Sequence, residues 1–300
     1  MGVAVRAAAA MGALLAGALL TAWLERRLLA RRQELGPAIA VEAGRELRLH
    51  HPDRWMYPAG PLVALFGVVL AAVVIPYDQN LVGADLGIGF FYFIVVVDYV
   101  VLGIAIGGWG ANTRNAVEVY YRIVAQLVAY VVPLGLAYIG AIMMGRSLST
   151  VAIVEAQSGL WFIVLQPLGF ALYVVTGLMQ AYRAPFLEPF ARRIDGGVIG
   201  AYGGWMAVLW RLALSGVLFV VAAAAAVLYL GGWRGPLLPG PVWMLLKTFA
   251  VMALMVWLGT RVRLLSVAEM LALSWKILIP VGLLNVLIVG VEILFGVGPS

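Results

Sequence analysis

Long apolar runs separated by short charged stretches repeat along this chain from about residue 7 to residue 296. A helix that crosses a bilayer needs about 20 predominantly apolar residues. Runs of that kind predict about eight spans, at roughly 7–24, 59–77, 88–108, 122–144, 159–181, 204–230, 241–259 and 274–296. The first begins like a secretory signal, with Arg6 ahead of an alanine-rich run. It ends, however, in Leu24-Glu25-Arg26-Arg27 without a small-residue cleavage site, so it is read as a retained helix. The fold class is all-α: a polytopic membrane protein forming one integral-membrane domain over residues 1–300. Gln166-Pro167 predicts a kink in the fifth span, since proline removes a helix hydrogen bond. Gly107-Gly108-Trp109-Gly110 and Gly231-Gly232-Trp233 fall at predicted span ends, where glycine commonly terminates helices. No strand precedes either stretch, so a phosphate-cradling loop is not expected.

Composition agrees with lipid as the solvent. Apolar residues make up 64% of the chain and charged ones 11%, against about 45–50% and about 25% in an ordinary globular domain. The absence of cysteine removes disulfides, thiolate metal sites and iron–sulfur ligation. The two histidines, His50 and His51, are neighbours in a charged loop with no evident third ligand, so no metal site is expected.

The net charge of +6 is distributed unevenly. Loop 25–58 holds seven arginines, at 26, 27, 31, 32, 45, 48 and 54. Arg114, Arg122, Arg183, Arg192, Arg193, Arg261, Arg263 and Lys276 fall on the same side, making fifteen of the twenty basic residues. Only Arg6, Arg146, Arg234 and Lys247 fall on the other, and Arg211 lies within a span. The positive-inside rule then puts the arginine-rich loops in the cytoplasm and both termini outside the cell (inner) membrane. The asymmetry accounts for the charge, and nucleic acid is not needed as a partner. Trp109, Trp205, Trp233, Trp243 and Trp275 fall close to span ends, as interfacial anchors do. The chain shows no 20–50-residue repeat and no inverted pair of broken helices.

Ionisable groups at membrane depth are costly, which makes each a functional candidate. Asp98 is the deepest acid, set in Phe93-Ile94-Val95-Val96-Val97-Asp98-Tyr99-Val100, and Arg211 is the basic residue at comparable depth. Two readings stay open for them: a proton path through Asp98, or a structural ion pair between the two. Glu118 and Arg122 stand one turn apart and are read as a surface or interfacial contact.

The loops carry a resemblance. Leu24-Glu25-Arg26-Arg27-Leu28-Leu29-Ala30-Arg31-Arg32-Gln33, followed by Gly36-Pro37, resembles the end of the first helix in the NuoH family, the membrane subunit at the base of the quinone chamber of respiratory complex I. That family has counterparts in membrane-bound energy-converting nickel–iron hydrogenases. Pro52-Asp53-Arg54-Trp55-Met56-Tyr57 with Pro61 is similar to the start of the family's second helix. Asp85-Leu86-Gly87-Ile88 and Gly107-Gly108-Trp109 resemble the segments bracketing its third. Gln180-Ala181-Tyr182-Arg183-Ala184-Pro185-Phe186 matches the family's Glu-x-x-Arg-x-Pro-Phe at all but its first position. Trp243-Met244, Lys247, Trp257, Arg261, Arg263, Trp275-Lys276 and Pro280 resemble its last two helices. The ordered set covers nearly the whole chain. It implies eight helices, external termini, antiporter-like membrane partners and soluble iron–sulfur partners. Glu25, Arg26, Arg27, Gln33, Gly36, Pro37, Arg183, Pro185 and Phe186 are, by resemblance, candidates for docking the peripheral arm and for remnants of the quinone chamber.

The departures are as specific. The segment from Gln33 to Ala38 is one residue shorter than the family's and lacks its arginine and asparagine, and a short charged stretch, Val41 to Arg48, replaces the usual tunnel segment. By resemblance, family acids fall at Gln180, Leu187, Phe190, Arg192, Ala201, Val131 and about Leu214, leaving Asp98 as the embedded carboxylate. Glutamine cannot release and rebind a proton near neutral pH, and valine and leucine cannot even hold one by a hydrogen bond. The expectation is a subunit of a complex I-like NADH-quinone oxidoreductase or hydrogenase-type complex, with its quinone and proton groups largely lost and no cofactor bound by the chain itself. Quinone remains a candidate at the interface with the peripheral arm. The alternative is a stand-alone transporter or channel using Asp98 and Arg211.

Overall fold

The computed structural model describes residues 12, 16, 17, 52–79, 81–186 and 197–296. Apart from residues 12, 16 and 17, the predicted span at 7–24 lies outside the described residues, as do Glu25, Arg26, Arg27, Gln33, Gly36, Pro37, His50, His51, Arg192 and Arg193. The described chain is helical: α1 (Met56–Val73), α2 (Gly89–Val97), α3 (Tyr99–Gly110), α4 (Arg114–Gly145), α5 (Thr150–Ala156), α6 (Phe162–Leu165), α7 (Pro167–Gln180), α8 (Gly197–Gly200), α9 (Gly204–Tyr229), α10 (Gly240–Arg261), α11 (Val267–Leu273), a π turn (Ser274–Leu278) and α12 (Ile279–Leu294). Six helical stretches among these residues are long and apolar enough to cross a membrane, and Pro167–Gln180 is a shorter apolar one. The protein is a polytopic α-helical membrane protein.

Two spans start earlier than their apolar runs. The fourth begins at Arg114 rather than 122, because the Thr113 hydroxyl accepts the Ala116 amide and caps the helix. The last begins at Val267 rather than 274. There the Ser266 hydroxyl accepts the Glu269 amide while the Glu269 carboxylate accepts the Ser266 amide, a reciprocal capping box. The fifth span is broken rather than kinked. Gln166 leaves helical geometry ahead of Pro167, which starts α7. A π turn over Ser274–Leu278 precedes Pro280, whose missing amide leaves one backbone bond to be rearranged.

Helix α9 is the axle of the bundle, buried without interruption from Ala213 to Tyr229. Lipid is as apolar as leucine, so membrane helices associate by close packing of small residues. The seam between α1 and α3 shows this directly. A Cβ at Gly60 would lie 2.6 Å from the Gly107 Cα, and one at Gly103 would lie 2.7 Å from the Ala64 Cβ. The helix does end within the predicted glycine stretch, at Gly110, while Gly107 at its start is a packing residue inside α3. Of the expected anchors, Trp109, Trp205 and Trp275 are exposed, whereas Trp233 is buried.

Candidate functional site

Asp98 stands at the break between α2 and α3, where the amide of Val101 turns back to the Asp98 carbonyl at 2.9 Å. Two side chains converge on its Oδ1. The Tyr130 hydroxyl donates from α4 at 3.1 Å, and the Gln180 amide donates from the end of α7 at 3.1 Å. Tyr130 and Gln180 are both buried, while Asp98 itself is partly buried. One face of α4 supplies these neighbours. Gln126, one turn before Tyr130, donates to the Met179 carbonyl at 2.7 Å and so fixes the end of α7 that presents Gln180. Beyond that end, the buried Tyr182 phenol interacts with Tyr130.

The site can hold a carboxylate in a fixed orientation through neutral donors. Among the described residues it brings no second carboxylate beside Asp98, and every buried polar side chain among them is neutral except Arg183 and Lys247. Arg211 does not join it. Partly buried on α9, Arg211 makes no ion pair with Asp98; the ion pairs among the described residues are Arg122–Glu118 at 2.8 Å and Arg263–Glu269 at 2.5 Å. The partners of Asp98 come instead from α4 and α7, whose packing brings Tyr130 and Gln180 to the helix break. The Glu118–Arg122 contact is the partly exposed pair that its spacing predicts.

The Arg-x-Pro-Phe segment packs as a buried plug. Arg183 is 8% exposed and donates to the Leu214 carbonyl at 3.4 Å, so backbone oxygen meets the guanidinium where the resemblance puts an acid. The Ala184–Pro185 peptide is cis, the Pro185 carbonyl accepts the Leu265 amide at 2.9 Å, and Phe186 is buried. This ties the segment to the loop between α10 and α11. Nearby, Tyr202 stacks on Tyr57 with ring centroids 4.2 Å apart, and its hydroxyl donates to the Tyr57 and Gly107 carbonyls. Val131, another position where the resemblance places an acid, is exposed, next after Tyr130 along α4.

Lys247 is the functional-looking residue that sequence reasoning counted among the outer-side basic residues and in the family resemblance, but did not place among the site candidates. It is buried in the second turn of α10, and its ammonium donates to the carbonyls of Leu230, Gly232 and Arg234. The ring of Trp161 lies 4.1 Å from the ammonium and that of Trp243 5.6 Å. A lysine inside an apolar run with tryptophans and a Gly-Gly turn nearby was the available signal.

Residues 5–290 match the family described as NADH dehydrogenase. Similar proteins include an H-type subunit (number 1) of the NADH-quinone oxidoreductase of Rhodopseudomonas palustris strain HaA2, 34% identical over 287 residues, which cover 90% of each chain. The corresponding subunit (number 2) of Syntrophobacter fumaroxidans is 33% identical over 298 residues, 91% of this chain and 90% of the relative. That of Dehalococcoides mccartyi strain ATCC BAA-2266 / KCTC 15142 / 195 is 33% identical over 299 residues, 94% and 84% of the two chains. With a match that runs through α1 to α12 and takes in both the Asp98 site and the Arg183 plug, the chain belongs to the NADH dehydrogenase family of membrane subunits, that of the H-type subunit of NADH-quinone oxidoreductase.

Proposed function

We propose that this chain is the membrane subunit joining the peripheral electron-transfer arm to the proton-translocating membrane arm of a complex I-like NADH-quinone oxidoreductase, and that it acts chiefly as a docking frame. The six long helices, the shorter Pro167–Gln180 helix and the predicted span at 7–24 then make eight spans. Both termini are external, and the arginine-rich loops face the cytoplasm, where they meet acidic surfaces of soluble iron–sulfur partners. The membrane face packs against antiporter-like subunits.

The observation that carries the docking-frame reading is the neutral shell of Asp98. A relay needs titratable groups in succession, and here the carboxylate is met by a phenol and an amide. The shortened segment after Gln33 supports a reduced quinone-tunnel wall in the same sense. A stand-alone transporter working through Asp98 and Arg211 draws no support from side chains that are not paired.

Asp98→Asn in the intact complex tests this reading. Asparagine keeps the oxygen that Tyr130 and Gln180 address, so assembly is expected to be normal and proton movement per electron pair unchanged. Normal assembly with abolished proton movement would overturn the docking-frame reading in favour of a proton path through Asp98. Photoaffinity labelling by a quinone analogue is expected to spare residues 25–58; strong labelling there would restore a working tunnel.

A further inference from the structure

We propose that a cleft at the end of the bundle opposite the arginine-rich loops holds the headgroup of a zwitterionic glycerophospholipid, with Arg234 on its phosphate and Asp78 on a primary ammonium. Helix α1 ends at Val73, α9 ends at Tyr229 and α10 starts at Gly240, so Asp78 and residues 230–239 emerge together at that end. Between them lies a cleft of about 520 Å³, lined by Asp78, Trp161, Trp233, Arg234 and Leu238 among others. That volume falls within the range typical of small-molecule pockets.

The walls of the cleft are built and satisfied. Lys247 fixes the 230–234 backbone through three carbonyls and holds Trp161 by its ring. The Gln157 amide donates to the Val227 carbonyl at 2.8 Å, and its oxygen accepts the Gly231 amide at 2.8 Å and the Phe162 amide at 3.2 Å. The Trp243 indole donates to the Pro236 carbonyl at 2.7 Å.

Among the described residues, two charges on these walls are left without a charged partner. The Arg234 side chain makes no hydrogen bond or ion pair within the described residues, and its Nε is buried. Among the described residues the Asp78 carboxylate accepts only the neighbouring Gln79 amide, at 2.9 Å, and Asp78 and Arg234 do not pair with each other. A guanidinium matches phosphate in its planar, forked geometry. One cation and one anion in the same cleft fit a ligand that carries both charges. A purely anionic headgroup would set a second negative charge against Asp78.

The apolar rim favours a lipid over a soluble phosphate ester. Leu237 is fully exposed and Leu238 is exposed beside it, on a loop between two spans where acyl chains are at hand. The cleft lies apart from Asp98 and from the Arg183 plug, so the inference is independent of the proposed docking role.

The test uses the intact complex in nanodiscs made of phosphatidylethanolamine, phosphatidylcholine or phosphatidylglycerol, with retained lipids counted by native mass spectrometry. The wild type is expected to hold one more phosphatidylethanolamine than Arg234→Gln. Asp78→Asn is expected to keep a phospholipid but lose about tenfold in preference for phosphatidylethanolamine over phosphatidylglycerol. Arg146→Gln, an exposed arginine on the same end, should retain the lipid. Equal retention by wild type and Arg234→Gln would overturn the site, as would equal loss in Arg146→Gln. Soluble phosphoethanolamine binding as tightly as the lipid would overturn the lipid assignment.

Discussion

The seam between α1 and α3 sets where the Asp98 helix break lies, and Gly60→Ala tests it sharply. The new Cβ would stand 2.6 Å from the Gly107 Cα, 2.9 Å from its nitrogen and 3.0 Å from the Gly103 carbonyl oxygen. These are backbone atoms, which cannot rotate away as a side chain can. Carbon–carbon contact is comfortable at about 3.5–4.0 Å, so the helices must part locally by roughly 1 Å. That separation also loosens the Gly103–Ala64 contact one turn on, which is likewise closer than a Cβ normally allows. Overpacking of this kind costs about 1–3 kcal/mol. The measurement is the thermal melt of the purified complex in mild detergent, followed by tryptophan fluorescence. Gly135→Ala, also in a span but with nothing within 4 Å of the added Cβ, serves as the control and should melt with the wild type. If Gly60→Ala melts with the control, the close α1–α3 contact is wrong and so is the placement of α3.

Other expectations follow from particular contacts. Gln180→Leu removes a donor to Asp98 and should destabilise the complex by about 0.6 kcal/mol, the average for hydrogen bonds between membrane helices, and by no more than about 1.7 kcal/mol, their maximum; Arg211→Gln should change stability less, and the reverse order in a melt would reinstate Asp98–Arg211 pairing. The chain has no cysteine, so single substitutions give a clean labelling background. Leu237→Cys should react with an impermeant maleimide from outside intact cells and Arg263→Cys only after permeabilisation, and the opposite pattern would invert the topology. Asp53 accepts the Met56 and Trp55 amides at 2.8 and 2.9 Å, which holds its carboxyl below the ordinary carboxylate value. A lowered native pKa means that its contribution is present above the unfolded value of about 4 and is lost as pH falls through the lowered one. The protection of the amides at residues 55–57, their exchange rate relative to the intrinsic rate at each pH, should therefore fall as pH drops below about 4 and stay level between pH 5 and 8; protection that is level through acid pH and lost only in alkali would refute the turn.

Most spans were legible because an apolar run of some twenty residues has few other uses. The starts of the fourth and last spans were not, since Arg114, Glu118, Arg122 and Glu269 look like loop charges until the Thr113 cap and the Ser266–Glu269 box enrol them in helices. The Ser-x-x-Glu spacing was visible and could have moved the last boundary. Asp98 announced itself as a carboxylate in an apolar run, but its partners did not. Tyr130 and Gln180 lie 32 and 82 residues away, and hydropathy carries no information on which helix faces meet. Arg211 was chosen as the partner for its charge and comparable depth, which ignores the face of α9 it occupies. Gly107 and Lys247 were legible only in part: the 107–110 stretch does end α3, at Gly110, but the packing of Gly107 on α1 and the bonding of Lys247 to the 230–234 carbonyls depend on partners that hydropathy does not show.

The central claim, that this chain works as one subunit of a multi-subunit redox complex, is tested most directly by purifying it under mild detergent from its own host with an affinity tag and identifying what comes with it by mass spectrometry. Soluble iron–sulfur subunits and other polytopic membrane subunits are expected in fixed proportion to it. Recovery of this chain alone, with a substrate-dependent flux in vesicles, would contradict the claim.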